Sequence, residues 1–203
     1  MFTRRPAAEP ADHTMNTGDT PAAFTPNAIQ PAEFRAQAGM ARPGDCCTRT
    51  PRYELASYQV SKSVRVSAPP AKVYKILVDY NDGHRQILPP KYFGPVTVEQ
   101  GGIGDGTVIS FTMRVFGQTR MVRAEITEPV PGSQMVERDL DTGVTTVFDV
   151  MPAGGGDATD VTITTILDAR EGLGGAAERA LTRWLLPRIF GDELERLRDY
   201  ARK

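Results

Sequence analysis

The sequence predicts an α+β domain: an antiparallel sheet of about seven strands with one long helix lying on its face. Three observations predict it. All sixteen valines of the 203-residue chain lie beyond residue 56, so the material for a core begins there. From that point, short stretches of alternating hydrophobicity follow one another across hairpin-length links. Such links demand antiparallel pairing, because parallel neighbours need long crossovers. The chain then closes on a helical stripe from Leu173 to about Tyr200, whose one large apolar partner is the sheet.

Residues 1–56 contrast with the rest. They hold seven of the sixteen prolines and eleven alanines, and their six arginines balance six acidic residues. A segment so poor in large apolar side chains cannot offset the entropy of ordering it. It reads as a disordered Pro/Ala-rich leader, and residues 57–203 as the domain. Arg4 and Arg5 are followed by Pro6, Glu9, Pro10 and Asp12, which is no signal-peptide core. Met15 and Met40 offer alternative starts within the leader.

In the domain, residues 57–67 alternate through Tyr58, Val60, Val64 and Val66, a half-buried strand that Pro69 and Pro70 end. Pro70 suits the first turn of a helix, where a missing N–H costs nothing. Val73, Tyr74, Leu77 and Val78 continue that helix to about Tyr80, before Asn81-Asp82-Gly83 breaks it. A further turn at 84–88 is closed by Pro89-Pro90. Strands are then predicted at 93–100 and 107–116, the second with Ile109, Phe111, Met113 and Val115 on one face. Ser110, Thr112 and Arg114 share the other face, which is expected to point outward. Gly117-Gln118 is the expected hairpin turn, and 120–128 returns with Val122, Ala124 and Ile126 together. Strands at 133–139, 144–151 and 158–169 follow, separated by Asp141-Thr142-Gly143 and a glycine-rich loop. In the last helix, Leu173, Ala177, Leu181, Trp184, Leu185, Phe190, Leu194 and Leu197 form the stripe. Pro187 is expected to kink it. The charges Glu178, Arg179, Arg183, Arg188, Asp192, Glu193, Glu195, Arg196, Arg198 and Asp199 read as its solvated face.

Several classes of function are excluded. A net charge of −1 gives no electrostatic footprint for nucleic acid. Cys46 and Cys47 are adjacent, which makes neither a disulfide framework nor a zinc site. No apolar run is long enough to span a membrane, so no integral membrane contact is expected. The composition is that of a soluble cytoplasmic protein. His13 falls in the leader, leaving His84 as the domain's one imidazole, in a loop beside Asp79 and Asp82 where it reads as solvated. No metal site is expected there. There is no GxSxG elbow. Gly172-Leu173-Gly174-Gly175-Ala176-Ala177 matches a dinucleotide fingerprint but precedes the final helix, with no strand after it. No cofactor is called for.

The stretch Val66–Tyr80, the glycine turn Gly102–Thr107, the strand Val122–Pro129 and Phe148–Pro152 followed by Asp160-Val161-Thr162 occur in the order and spacing of one superfamily. Residues 58–201 resemble the SRPBCC superfamily: START-like lipid-binding domains and the polyketide cyclase/dehydratase group. Members usually carry a tryptophan after the first helix, where this chain offers Tyr80, His84 and Tyr92. The resemblance implies a helix-grip fold, a curved sheet wrapped around the C-terminal helix with a deep apolar cavity between them. The expected cavity walls are Ile109, Phe111, Met113, Val122, Ala124, Phe148 and Val150 from the sheet, with Leu181, Trp184 and Leu185 from the helix.

A binding module for a hydrophobic small molecule (lipid, polyketide or isoprenoid-like) needs no catalytic group, which suits the scarcity of candidates. Its affinity would come from apolar burial at roughly 25 cal/mol per Å². The alternative is a polyketide aromatase/cyclase or dehydratase, for which His84, Tyr80 and Tyr92 are the available acid–base groups, with Arg114 beside them. The chain is expected to act as a monomer or weak homodimer.

Overall fold

The computed structural model describes residues 56–115 and 117–203; the leader expected at 1–56, with His13, Cys46 and Cys47, lies outside the described residues except for Ala56. Among the described residues, seven strands form one open, curved antiparallel sheet. They are β1 (Ser57–Val66), β2 (Thr97–Gln100), β3 (Val108–Val115), β4 (Gln118–Val130), β5 (Gln134–Asp139), β6 (Thr145–Ala153) and β7 (Ala158–Asp168). Their spatial order is β1-β7-β6-β5-β4-β3-β2, so all but β1 are laid down as a meander. Register shifts in β2 between Val98 and Gln100, and between β4 and β5 at Thr127–Val130, bend the sheet where bulges increase local twist. Helices α1 (Pro70–Val78) and α2 (Gly83–Ile87) connect β1 to β2, and α3 (Gly172–Tyr200) ends the chain. This is the helix-grip arrangement.

Local chemistry sets the ends of these elements. Helix α1 starts on Pro70 and buries Val73, Tyr74, Ile76, Leu77 and Val78 against β6 and β7. It stops at Asp79, whose carboxylate accepts the amides of Asn81 and Asp82 at 3.0 and 3.1 Å. The glycine turn is stitched onto this end: Tyr80 N–H donates to the Gly102 carbonyl, and Gly104 N–H to that of Val78. Gly102 has φ +123°, and a Cβ there would lie 2.4 Å from Asn81 Nδ2, so only glycine fits this approach. Gly83 serves α2 in the same way: a Cβ would lie 2.8 Å from the Ile76 carbonyl oxygen, so its absence lets α2 press back onto α1.

Three expectations are corrected. The strand predicted at 93–100 pairs only over Thr97–Gln100, with a lone bridge from Phe93 to Met113. Pro95 has no N–H to contribute to the ladder between them. Gln118 is not a turn residue; it already pairs with Val115 in β4. The stripe of α3 is buried only from Leu185 onward, at Leu185, Ile189, Phe190, Leu194 and Leu197, while Leu173 is 92% exposed. The helix is continuous through Pro187. Its anchored second half belongs to the main core, with Val66, Leu77, Ile126, Met135, Phe148, Val161 and Ile163.

Candidate functional site

The inner face of the sheet, the α1–α2 segment and α3 together enclose a cavity of about 620 Å³. Period-two alternation supplies its wall strand by strand. Ile109, Phe111, Met113 and Val115 come from β3, and Gln118, Arg120, Val122 and Ala124 from β4. Glu137 and Asp139 come from β5, Thr146 and Phe148 from β6, and Ile163, Thr165 and Leu167 from β7. Tyr80, His84 and Leu88 close it from the α1–α2 side. Helix α3 contributes Leu181, Leu185, Leu186, Ile189 and Phe190, with Glu178, Thr182 and Glu193 among them.

Of the ten side chains expected to wall a cavity, eight line this one; Val150 and Trp184 do not. Val150 is sealed into the core. Trp184 is 54% exposed, its ring covered instead by the Arg188 guanidinium 4.0 Å from the centroid. Tyr92 is also absent from the lining; it lies in the turn after α2, where its carbonyl accepts the Arg114 amide at 2.7 Å. The Arg114 side chain is exposed.

His84 is the clearest reversal of expectation: it is 1% exposed, where the sequence suggested a solvated loop histidine. Its ring stacks on Tyr80 at 4.2 Å and meets Phe148 edge-on at 5.7 Å. Nδ1 lies 2.6 Å from the Leu77 carbonyl, an acceptor only, which assigns the hydrogen to Nδ1. Burial lowers the His84 pKa, against the opposing pull of Glu137 and the Leu77 carbonyl. The neutral ring therefore turns its bare Nε2 toward Glu137 Oε1, 3.4 Å away. That same oxygen accepts the Tyr80 hydroxyl in a short hydrogen bond. Burial, and then the Glu137 charge, hold the Tyr80 phenol well above its usual pKa, so it acts as a donor.

Two further carboxyls of the lining are buried. Asp139 is 6% exposed and fully served. Arg120 Nη1 donates to its Oδ2 at 2.8 Å, and the amides of Asp141 and Thr142 donate to Oδ1 at 3.0 and 3.1 Å. Burial pushes its pKa up, but these donors outweigh it and the net shift is downward. Glu193, expected on the solvated face of the helix, is 4% exposed. Its Oε1 is cut off from solvent and finds no hydrogen-bond partner among the described residues. Burial first, and the Glu137 charge second, raise its pKa well above the ordinary carboxyl value.

The cavity lining is thus mainly apolar; of its polar members Gln118, Arg120 and Glu178 are exposed to solvent, Tyr80, His84, Asp139 and Glu193 are buried, and Glu137 is 18% exposed. Sequence reasoning missed Arg120, Glu137, Asp139 and Glu193. Alternation does place Arg120 on the face of Val122, and Glu193 stands four residues after Ile189 and four before Leu197, within the buried stripe. Among the described residues, no three His, Cys, Asp or Glu side chains converge in a way that would hold a metal ion. No described helix is long and apolar enough to cross a membrane.

Residues 57–202 match the family model described as polyketide cyclase / dehydrase and lipid transport. No curated protein matches the chain. Among solved structures, the solution structure of KanY is 25% identical with a TM-score of 0.64, covering 73% of this chain and 100% of that one. The Zhui aromatase/cyclase from Streptomyces sp. R1128 is 19% identical with a TM-score of 0.56, covering 72% and 94%. A START superfamily protein from Mycobacterium smegmatis is 17% identical with a TM-score of 0.51, covering 70% and 92%. At such identities the last two speak for the fold.

Proposed function

Since the chain belongs to the polyketide cyclase/dehydrase and lipid transport family of the SRPBCC superfamily, we propose that it binds a hydrophobic small molecule, such as a lipid, polyketide or isoprenoid-like compound, inside the domain. The observation that carries this reading is the cavity of about 620 Å³ walled by apolar side chains from β3, β4, β6, β7 and α3. A space of that size and lining is typical of sites that bury most of a small ligand's surface. Met113 suits a wall that adapts to varied shapes, since its unbranched chain re-packs at little cost. Affinity comes from removing apolar surface from water, less the cost of ordering the ligand. The protein works in the cytoplasm as a carrier or sensor, as a monomer or weak homodimer.

The test is titration of purified, solvent-extracted protein with the neutral dye Nile red, alongside mass spectrometry of the extract. Saturable binding at one dye per chain, displaced by the extracted compound, is the expected result. Dye binding that never saturates, together with an empty extract, sinks the reading.

A second reading is favoured by the contact of the buried Tyr80 and His84 with the partly buried Glu137 on the cavity wall. It is an aromatase/cyclase or dehydratase in which a poly-β-ketone chain folds in the cavity and these groups move protons during enolisation. Turnover that survives His84→Ala intact removes its one imidazole.

A further inference from the structure

Glu193 contributes nothing visible to the fold. It interrupts the buried stripe of α3 between Ile189 and Leu197, faces the cavity, and leaves Oε1 without a partner. A buried polar atom in that condition costs stability, and native structures hold few of them. The polar groups beside it are already committed in part: the Tyr80 hydroxyl has given its hydrogen to Glu137, and His84 Nδ1 serves the Leu77 carbonyl. What remains free toward the cavity is one donor and a pair of acceptors. The donor is the Glu193 carboxyl, which keeps its proton because burial and the neighbouring Glu137 charge disfavour ionisation. The acceptors are Glu137 and His84 Nε2, which face each other at 3.4 Å.

We propose that Glu193, Glu137 and His84 form a subsite that seats a neutral hydroxyl group, alcohol, phenol or enol, at the buried end of the hydrophobic ligand. The hydroxyl oxygen accepts from the Glu193 carboxyl and its hydrogen is donated to the Glu137–His84 pair. A single oxygen that both accepts and donates satisfies both sides at once. A ketone would leave the acceptors unserved, a carboxylate would meet Glu137 as a like charge, and an ammonium would have to shed its hydration in a mainly apolar cavity. This rests on the reading that the cavity holds a hydrophobic ligand, and it adds what the buried end of that ligand carries.

The experiment compares three probes of one skeleton on the full chain by calorimetry: naphthalene, 2-naphthol and 2-(aminomethyl)naphthalene in its ammonium form. Without a subsite, the hydroxyl must be stripped of water for no return, and naphthalene binds at least as tightly as 2-naphthol. With it, 2-naphthol binds at least ten-fold tighter than naphthalene. Glu193→Leu abolishes that preference and keeps naphthalene binding, while Glu193→Gln, which retains an N–H donor, keeps most of it. Should Glu193→Leu fail to fold, the wild-type ratio and the Gln variant decide the matter. Equal binding of the two neutral probes, a preference that survives Glu193→Leu, or tightest binding of the ammonium each overturn the subsite while leaving the cavity reading standing. Failure of all three probes to bind overturns both.

Discussion

Asp139 and Glu193 are both carboxyls buried in the wall of one cavity, and they behave in opposite ways. Asp139, at the end of β5 where the sheet meets solvent, has a guanidinium on one oxygen and two backbone amides on the other. Glu193, deep on α3, has a like charge nearby and an oxygen with no partner. Burial raises the pKa of both; donors reverse that for Asp139, and nothing reverses it for Glu193. A buried carboxylate that is fully served holds structure together, here the turn into β6 and the β4–β5 pairing. A buried acid that is not served is carried by the rest of the fold at a cost, and is free to meet a ligand.

The largest effect should come from the served partner. Asp139→Ala removes three charge-assisted hydrogen bonds and is expected to lower stability by about 3 kcal/mol. Arg120 is half-exposed and regains water, which keeps the loss below that of a fully enclosed pair. Urea midpoints measure it, and a change under about 1 kcal/mol would remove the structural half of the contrast.

The unserved acid should do the reverse. Glu193→Leu is expected to raise stability at pH 7 by about 1–3 kcal/mol, because it deletes an unsatisfied buried group without leaving a hole. The pH dependence differs in sign as well. The folded pKa of Asp139 is below its ordinary 3.8, so its contribution is present above that value and is lost as pH falls through the folded one. The folded pKa of Glu193 is above its ordinary 4.5, so the unfolded chain ionises first and stability drains away as pH rises from 4.5. The gain from Glu193→Leu should therefore shrink toward pH 4, to the part that comes from the unsatisfied neutral carboxyl; a gain equally large at pH 4 and pH 7 would mean that the proton contributes nothing to it.

A smaller effect separates Glu193 from His84, which faces the same end of the cavity. The folded pKa of His84 is below its ordinary 6.5, so the unfolded chain takes up the proton first and stability falls as pH drops below 6.5. Between pH 4.5 and 6.5 this slope opposes that of Glu193, and the wild-type curve should be shallow. Glu193→Gln unmasks it: stability should rise from pH 5 to 7, more steeply than in the wild type. Guanidinium melts across that range check the outcome, and an unchanged slope would show that the two groups do not balance.

The same contrast explains what the sequence disclosed. Period two fixes the faces of a strand, so Ile109, Phe111 and Met113 could be assigned inward from their spacing, and the cavity wall was legible to that extent. Arg120 follows the same alternation from Val122, but composition argues that an arginine points outward, and only its pairing with Asp139 across the β4–β5 boundary explains its inward place. Glu193 sits at the right interval from Ile189 and Leu197, but its neighbours Asp192, Glu195 and Arg196 make the local pattern read as a solvated face. His84 was hidden for another reason. Its burial comes from α2 folding back onto α1 at Gly83, a tertiary contact that no local polarity pattern records. Trp184 shows the converse, a bulky side chain at helical spacing left 54% exposed, off the cavity wall and covered by Arg188.

Leu181 gives the smallest expected effect and divides affinity from selectivity. It lines the cavity on the solvent-facing side and is partly exposed, so Leu181→Ala should change stability by no more than about 0.5 kcal/mol. It does remove apolar surface that a bound ligand would cover, and the affinities for naphthalene and 2-naphthol should fall together by about three-fold. Their ratio should not move, because the group that distinguishes them is read at Glu193 and Glu137, not at the entrance. Calorimetric titration of the two probes against this variant gives both quantities from the same samples. A ratio that shifts with Leu181 would place the hydroxyl near the solvent-facing end, beside Arg120 and Asp139, and would reverse the assignment of which carboxyl serves the fold and which serves the ligand.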